Sequence, residues 1–419
     1  MSKKNHKLDF PNWPSFHSDT YEDIVRPLKS GKVNYWTGDK GREFEQSFAH
    51  LVESEYGISC SSGTSALHTI VSALEIGPGD EVIVPSYSFI ATAFAVLQAG
   101  AIPVFCDVTM DHTIDPNRIE ALVNRRTKAI IVVHLYGVVC DMDPIREIAQ
   151  RYDLRVIEDA AQCLGGIYKG RKVGTLGDAA AFSFCQSKHF TTGGEGGMVT
   201  TNDTSLAWEC RSFRDHGFDT QQKLDLLDME LKENYIHNRV GFNYRMTEIQ
   251  SIIGINEVRR FNEWNLKNRH RHAAIYDEIL SASPHILKLP LNDTCRRNAY
   301  WIYPVVLSEC FSLDDTNRLY QQLTQQGVPF TKVLWPEAYL EKAFRQHVGF
   351  GKVNFPFNSA EYTCSESVNY DEKICPVARL LSQRTVCLML HPNWNQEHIE
   401  HCAKALMDTL TSLMPMADY

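Results

Sequence analysis

The sequence predicts an α/β protein with a mainly parallel sheet covered on both faces by helices, followed by a smaller α+β domain. Three observations carry this prediction. Short, continuous apolar runs alternate with stretches of helical period from about residue 57 to residue 201, the pattern of strands buried on both faces and joined by right-handed crossovers. Glycine-rich turns separate several of these runs. After about residue 245 the alternation stops, and one long helical pattern leads into a differently composed C-terminal part.

The elements follow in order. The strand GISC (57–60) runs into SSGTSALHTIVSALEI, where Leu67, Ile70, Val71 and Leu74 have helical spacing. GPGD turns the chain into the buried strand EVIVP. FIATAFAVLQAG is a helix, IPVFCDV a strand, and a weaker helix starts at Pro116, a residue suited to a first turn. KAIIVVHL, LRVIEDA, AAAFSF and GGMVTT are short strands. Residues 245–280 form a single helical pattern, an interdomain connector. WIYPVVL is a strand, NRLYQQLTQQG a helix, and a final helix begins near Gln396. Residues 345–375 are a long loop, the kind of segment that usually carries function or disorder. Its Arg345, Lys352 and Lys373 can meet a phosphorylated substrate or simply face solvent. The expected division is an N-terminal arm (1–30) packing on the small domain, a large domain (31–264) and a small C-terminal domain (265–419).

Composition narrows the function. With 42 Lys and Arg against 51 Asp and Glu in 419 residues, the net charge is −9. No overall electrostatic footprint for nucleic acid or an anionic membrane exists, and none of either is expected as a partner. The run KNRHRH (267–272) is expected to be the wet face of the connector. No run approaches the ~20 apolar residues of a membrane span, and MSKKNHKLDFPNW lacks a signal-peptide core. The 12 cysteines include no CxxC pair and mostly sit in apolar segments. A cytoplasmic protein with reduced thiols is expected. No metal is expected, because His398, His401 and Cys402 share one helix and lack a second half-site.

Ligands of parallel sheets bind beyond the carboxyl ends of the strands, and four polar stretches fall there. Ser61-Ser62-Gly63-Thr64 joins a strand to a helix, where backbone N–H groups and the hydroxyls of Ser62 and Thr64 can hold an anion; an ordinary helix cap is the plainer alternative. Glu158-Asp159 closes LRVI. A buried carboxylate there needs a partner, which a protonated ring nitrogen or a Lys or Arg can supply; Gln162 stands nearby to orient one of them. In AFSFCQSKHFTTGGEGGMVTT, Lys188 follows a strand and precedes a glycine-rich turn. Lysine forms Schiff bases and loses its proton readily when desolvated, although an isolated lysine here can also be a surface residue. Ser183 can offer a hydroxyl to a phosphate. Asn243, in GFNYR, can donate to an anion or cap the connector helix. Together these are the parts a pyridoxal phosphate site needs.

The succession SSGTSAL, VIVPSYSFIATA, VIEDAAQCLGG, FSFCQSKHFTTGGEGGMVTTND and VGFNYRMTEIQ closely resembles the DegT-type sugar aminotransferases. The resemblance implies the fold type I of pyridoxal-phosphate-dependent transferases, with a mainly parallel seven-stranded sheet. In its motifs Lys188 matches the lysine that bonds to the cofactor, Asp159 the acid at the ring nitrogen and Phe89 the aromatic stacked on the ring. Gly63, Thr64 and Ser183 match phosphate-holding positions, with Ser62 expected beside them as a further cofactor-binding residue from its place in the turn, and Gln162 matches the glutamine beside the ring. Asn243 matches a residue reaching the phosphate from a neighbouring subunit, which implies a homodimer with composite active sites. Substrate contact is expected from His189, Trp36 and His391. The implied reaction moves an amino group from glutamate or glutamine to a keto sugar, by way of the pyridoxamine phosphate form, in amino-sugar biosynthesis. A cyclitol substrate is the alternative. A sugar dehydratase, with histidine in place of the lysine, and a non-catalytic cofactor-binding regulator are disfavoured because Lys188 and Asp159 are both present. CPVARLLSQRTVCLMLHPNW departs from the family pattern at Arg379, where an acid is usual, and keeps the turn His391-Pro392.

Overall fold

The computed structural model describes residues 8–228, 237–290, 292–332, 337–362, 368, 370–371 and 373–413. The strands that build the large sheet come first in the chain: β1 (Tyr56–Cys60), β2 (Glu81–Pro85), β3 (Ile102–Cys106), β4 (Thr127–Val133) and β5 (Arg155–Asp159). Two short strands, β6 (Ile167–Tyr168) and β7 (Arg171–Lys172), form a hairpin, and β8 (Ala179–Ser183) and β9 (Gly197–Thr201) complete the sheet. Its seven strands lie in the order β1-β9-β8-β5-β4-β2-β3. All pairings from β8 to β3 are parallel, and only β9 runs against its neighbours.

The alternation of side chains explains why these strands read as unbroken apolar runs. Val82, Val84, Ile131, Val133, Ala179 and Ala181 face a core formed with the helices Gly63–Ala73, Ala91–Gln98 and Thr204–Arg214. Their immediate neighbours Ile83, Ile130, Val132, Ala180 and Phe182 face a second core, against Lys40–Val52, Met142–Tyr152 and Glu248–Arg260. With helices on both faces, neither set can be polar. Tyr339, Phe344, Phe357, Tyr362 and Tyr370 join the first core. The described part of the 345–375 loop therefore lies against the large sheet, on Phe105 and Phe344.

The connector is helical from Glu248 to Leu280 but not of one kind: α-helix to Arg260, a π-helical turn over Phe261–Leu266, then α-helix from Lys267. The expectation that KNRHRH is a wet face is corrected for two of its residues. Arg269 and His272 are buried, because at helical spacing they share one face with Ala273, Tyr276 and Leu280, where Arg269 donates to Asn265 and to the carbonyls of Tyr300 and Trp301. Beyond the connector, β10 (Ile286–Lys288) precedes β11 (Arg296–Arg297), which joins the β6–β7 hairpin, and β12 (Tyr303–Leu307), β13 (Phe330–Thr331) and β14 (Thr385–Leu388) follow. The small sheet, in the order β10-β12-β14-β13, is antiparallel, and its core is shared with the helices Lys267–Leu280, Leu313–Gln326 and Gln396–Leu413.

The N-terminal segment packs on this C-terminal part. Phe10 meets Trp394 and His398, Trp394 Nε1 donates to the carbonyl of Pro11, and His398 Nε2 meets the carbonyl of Asp9. Among the described residues no three His, Cys, Asp or Glu side chains gather as metal ligands, and no helix is long and apolar enough to cross a membrane.

Candidate active site

Three strand ends and one helix start converge on a cavity of about 460 Å³. Asp159 is the last residue of β5 and Ser183 the last of β8; Lys188 lies on the loop that follows, and Ser62, Gly63 and Thr64 lie where β1 passes into the helix Gly63–Ala73. All of them line the cavity, together with Phe89, Gln162 and His391. The strand order brings them together, since β8 lies between β5 and the β9–β1 pair.

At the floor, Asp159 is buried and accepts from the Thr92 hydroxyl at 2.7 Å and the Ala161 N–H at 3.2 Å. Burial pushes its carboxyl pKa up, and those two donors with Lys188 pull against it. The neighbouring Glu158 points to the other face. It accepts from the N–H groups of Gly174, Leu176 and Gly177 and pairs with His134 Nε2 at 3.0 Å, a fully buried structural network. Because His134 Nδ1 accepts from the Cys140 N–H, the ring proton facing Glu158 sits on Nε2.

Lys188 is buried, and its Nζ lies 4.1 Å from the centre of the Trp301 ring. Burial pulls its pKa down to about 8, with Asp159 and Cys185 opposing. An amine so placed is partly neutral near physiological pH, which is what a nucleophile or proton carrier requires. His391 also lines the cavity; burial, reinforced by Arg269, pulls it down to about 3, so it is neutral.

The helix Gly63–Ala73 starts with a capping box in which Ser62 Oγ accepts from the Ser65 N–H at 3.1 Å. Ser62 is thus the helix cap, and the amides of Gly63 and Thr64 have no intrahelical acceptor. The turn packs too tightly for side chains at two points. A Cβ on Gly63 would come within 2.8 Å of Ser183 Cβ, and one on Gly197 within 2.2 Å of the Ser62 carbonyl. Gln162 is fixed by its Oε1, which accepts from the Tyr136 N–H at 2.7 Å. This donor set fits pyridoxal phosphate: a helix N-terminus with two free amides and nearby hydroxyls for the phosphate, a buried carboxylate for the ring nitrogen, and a partly neutral lysine between them.

Three expected residues lie elsewhere in the subunit. His189 points away from the cavity, its Nε2 donating to the Ala299 carbonyl at 3.1 Å. Trp36 donates through Nε1 to Asp215 Oδ2 at 2.5 Å and lines a separate groove. Asn243 pairs with Asp215 as an isolated bridge, beside the ion pair of Arg245 with the same aspartate. Sequence reasoning missed Thr92 and Trp301, which in sequence are an ordinary helix threonine and an apolar strand residue. It also missed Trp13, whose Nε1 donates to the Lys188 carbonyl at 3.2 Å and whose ring stacks on His391 at 5.3 Å.

Comparison with known proteins agrees with this geometry. The chain is 42% identical over 305 residues to the GDP-perosamine synthase of Caulobacter vibrioides, covering 72% of this chain and 78% of that one. It is 35% identical over 379 residues, 90% of each chain, to the UDP-N-acetyl-3-dehydro-alpha-D-glucosamine 3-aminotransferase of Acidithiobacillus ferrooxidans. The crystal structure of an aminotransferase from Psychrobacter cryohalolentis superposes with a TM-score of 0.84 at 34% identity, over 97% of this chain and all of that one. The sequence model of the DegT/DnrJ/EryC1/StrS aminotransferase family matches residues 14–368. With Lys188 and Asp159 facing one cavity on a type I transferase sheet, the chain belongs to that family.

Proposed function

We propose that the protein transfers an amino group from glutamate or glutamine to a nucleotide-linked keto sugar, in an active site completed by a second copy of the chain. The aminotransferase activity and the pyridoxal 5′-phosphate cofactor belong to the family; donor, acceptor and shared site are this proposal. The observation that carries it is the juxtaposition of Lys188, with its pKa drawn down to about 8, and the buried Asp159 in one cavity.

In this reading Gly63, Thr64 and Ser183 hold the phosphate, Phe89 covers the ring face, Gln162 flanks it and Asp159 keeps the ring nitrogen protonated. When bound, the cofactor supplies an electron sink for the carbanion formed at the donor's α-carbon. Lys188 Nζ takes the proton from that carbon and returns one in the second half of the reaction, a task suited to an amine that titrates near working pH.

Two features support a shared site. Lys188 is the only Lys or Arg among the described residues lining the cavity, whereas a donor carboxylate and a sugar-linked diphosphate both call for cations. Asn243 lies outside this chain's own cavity, beside the exposed Val240 and Phe242. The test is to load the protein with pyridoxal phosphate, bleach its visible absorbance with glutamate or glutamine, and add keto sugars and cyclitols, free and nucleotide-linked. Return of the absorbance with a nucleotide-linked keto sugar is expected. Return with free cyclitols only would overturn the proposed acceptor.

A further inference from the structure

Three consecutive carbonyls around the reactive lysine are each tied down by a side chain from a different part of the chain. Trp301 Nε1 donates to Ser187 O at 2.5 Å, Trp13 Nε1 to Lys188 O at 3.2 Å, and Asn265 Nδ2 to His189 O. Of the three, only Trp301 also touches the lysine's reactive end, with Nζ 4.1 Å from its ring centre.

Trp301 is itself held by an unusual arrangement. Tyr300 before it adopts a left-handed φ of 53°, a conformation a bulky residue keeps only when its surroundings enforce it. Arg269 provides that enforcement. It is fully buried, and its Nη1 donates to both carbonyls flanking the bond, Tyr300 O at 3.1 Å and Trp301 O at 2.9 Å. Its Nε donates at 2.8 Å to Asn265, which stands in the π-helical turn and also reaches His189. The π turn, a feature that recurs at functional sites, therefore connects through Arg269 to the ring beneath Lys188.

We infer that Trp301 is the positioning residue of Lys188: its ring face seats the ε-ammonium, and its indole N–H pins the backbone one residue before it. The inference rests on Lys188 being the reactive amine, but not on which sugar is aminated. A cation over an indole face is stabilised by the ring quadrupole. That opposes the desolvation of the buried site, alongside Asp159 on β5 and Cys185 on the lysine's own loop. His391 and Glu195 line the same cavity, and Arg269 stands behind the indole.

The test measures the amine directly, in cofactor-free full-length protein without substrate. Lys188 is labelled with trace acetic anhydride across a pH series, and its peptide is quantified by mass spectrometry in wild type, Trp301→Phe and Trp301→Leu. Removing the seat should lower the labelling midpoint in Trp301→Leu by about one pH unit, which is about fivefold more free amine at pH 7. Trp301→Phe, which keeps a weaker ring face, should fall between the two. A midpoint that rises in Trp301→Leu would make the indole a mere cover against water and overturn the inference, as would an unchanged one. If Trp301→Leu does not fold, a folded Trp301→Phe with the wild-type midpoint is equally decisive. Failure of every acceptor sugar would leave this labelling result untouched, so the two proposals fail separately.

Discussion

Asp159 is a carboxyl group whose pKa burial pushes up, held by one hydroxyl and one backbone N–H that pull it back down. If its task is to keep a ring nitrogen protonated, Asp159→Asn should still load cofactor yet lose on the order of a hundredfold or more in turnover. Steady-state kinetics on protein of known cofactor content check this, and near-normal turnover would remove Asp159 from the mechanism. Lys188 supplies a pH prediction. Burial lowers its pKa, so the neutral amine becomes abundant at lower pH than for an exposed lysine, and uptake of pyridoxal phosphate should accelerate through about pH 8 and level off above it. A midpoint near pH 10, read from absorbance in rapid mixing, would contradict the burial argument. Strand position alone left both residues open to a structural reading; it was their order with the other polar stretches on one parallel sheet, and the family motifs, that singled them out. Thr92, Arg269 and Trp301 were not legible in the sequence, since their roles depend on which segment packs beside them. Arg269 even sits in a charge run that reads as solvent-facing.

At the scale of elements, the turn between β1 and its helix depends on Gly197 of β9, which pairs with Cys60 on one side and Ser183 on the other. A Cβ there meets the Ser62 carbonyl, a backbone atom that cannot swing aside. Gly197→Ala should therefore cost about 1–3 kcal/mol of stability and weaken cofactor binding. Denaturant unfolding and a cofactor titration measure the two effects, and a variant unchanged in both would show that the turn relaxes freely. The seven sheet strands were legible because helices on both faces make both sets of alternating side chains mainly apolar. By contrast β6, β7, β11 and β13 are two residues long and carry no period. The connector was legible as a helix, while its π turn was not: apolar spacing reports the buried face, and a single wider turn alters that spacing too little to register.

For the whole molecule, the large sheet followed from the alternation of strand and helix signals before residue 201, and the small antiparallel sheet lies beyond the change in pattern near residue 245. The packing of Tyr339, Phe344, Phe357, Tyr362 and Tyr370 against the large sheet did not follow from the pattern, because aromatic residues in a loop do not announce which core receives them. The shared site is testable by mixing inactive subunits. If Asn243 serves the neighbour's cavity, hybrids of Lys188→Met and Asn243→Ala chains contain one intact site, and random pairing should restore roughly a quarter of full activity. If Asn243 acts within its own subunit, no hybrid has an intact site and the mixture stays dead.

The indole at 4.1 Å from Lys188 Nζ has an optical consequence. Were pyridoxal phosphate joined to that amine, its absorbing ring would start from an atom 4.1 Å from the centre of the Trp301 ring and could drain the indole's excited state. Loading should therefore dim the tryptophan emission of a chain with 7 such residues, and Trp301→Phe should lose the most of that signal. The residue beneath the lysine gives the protein a built-in gauge of its own occupancy.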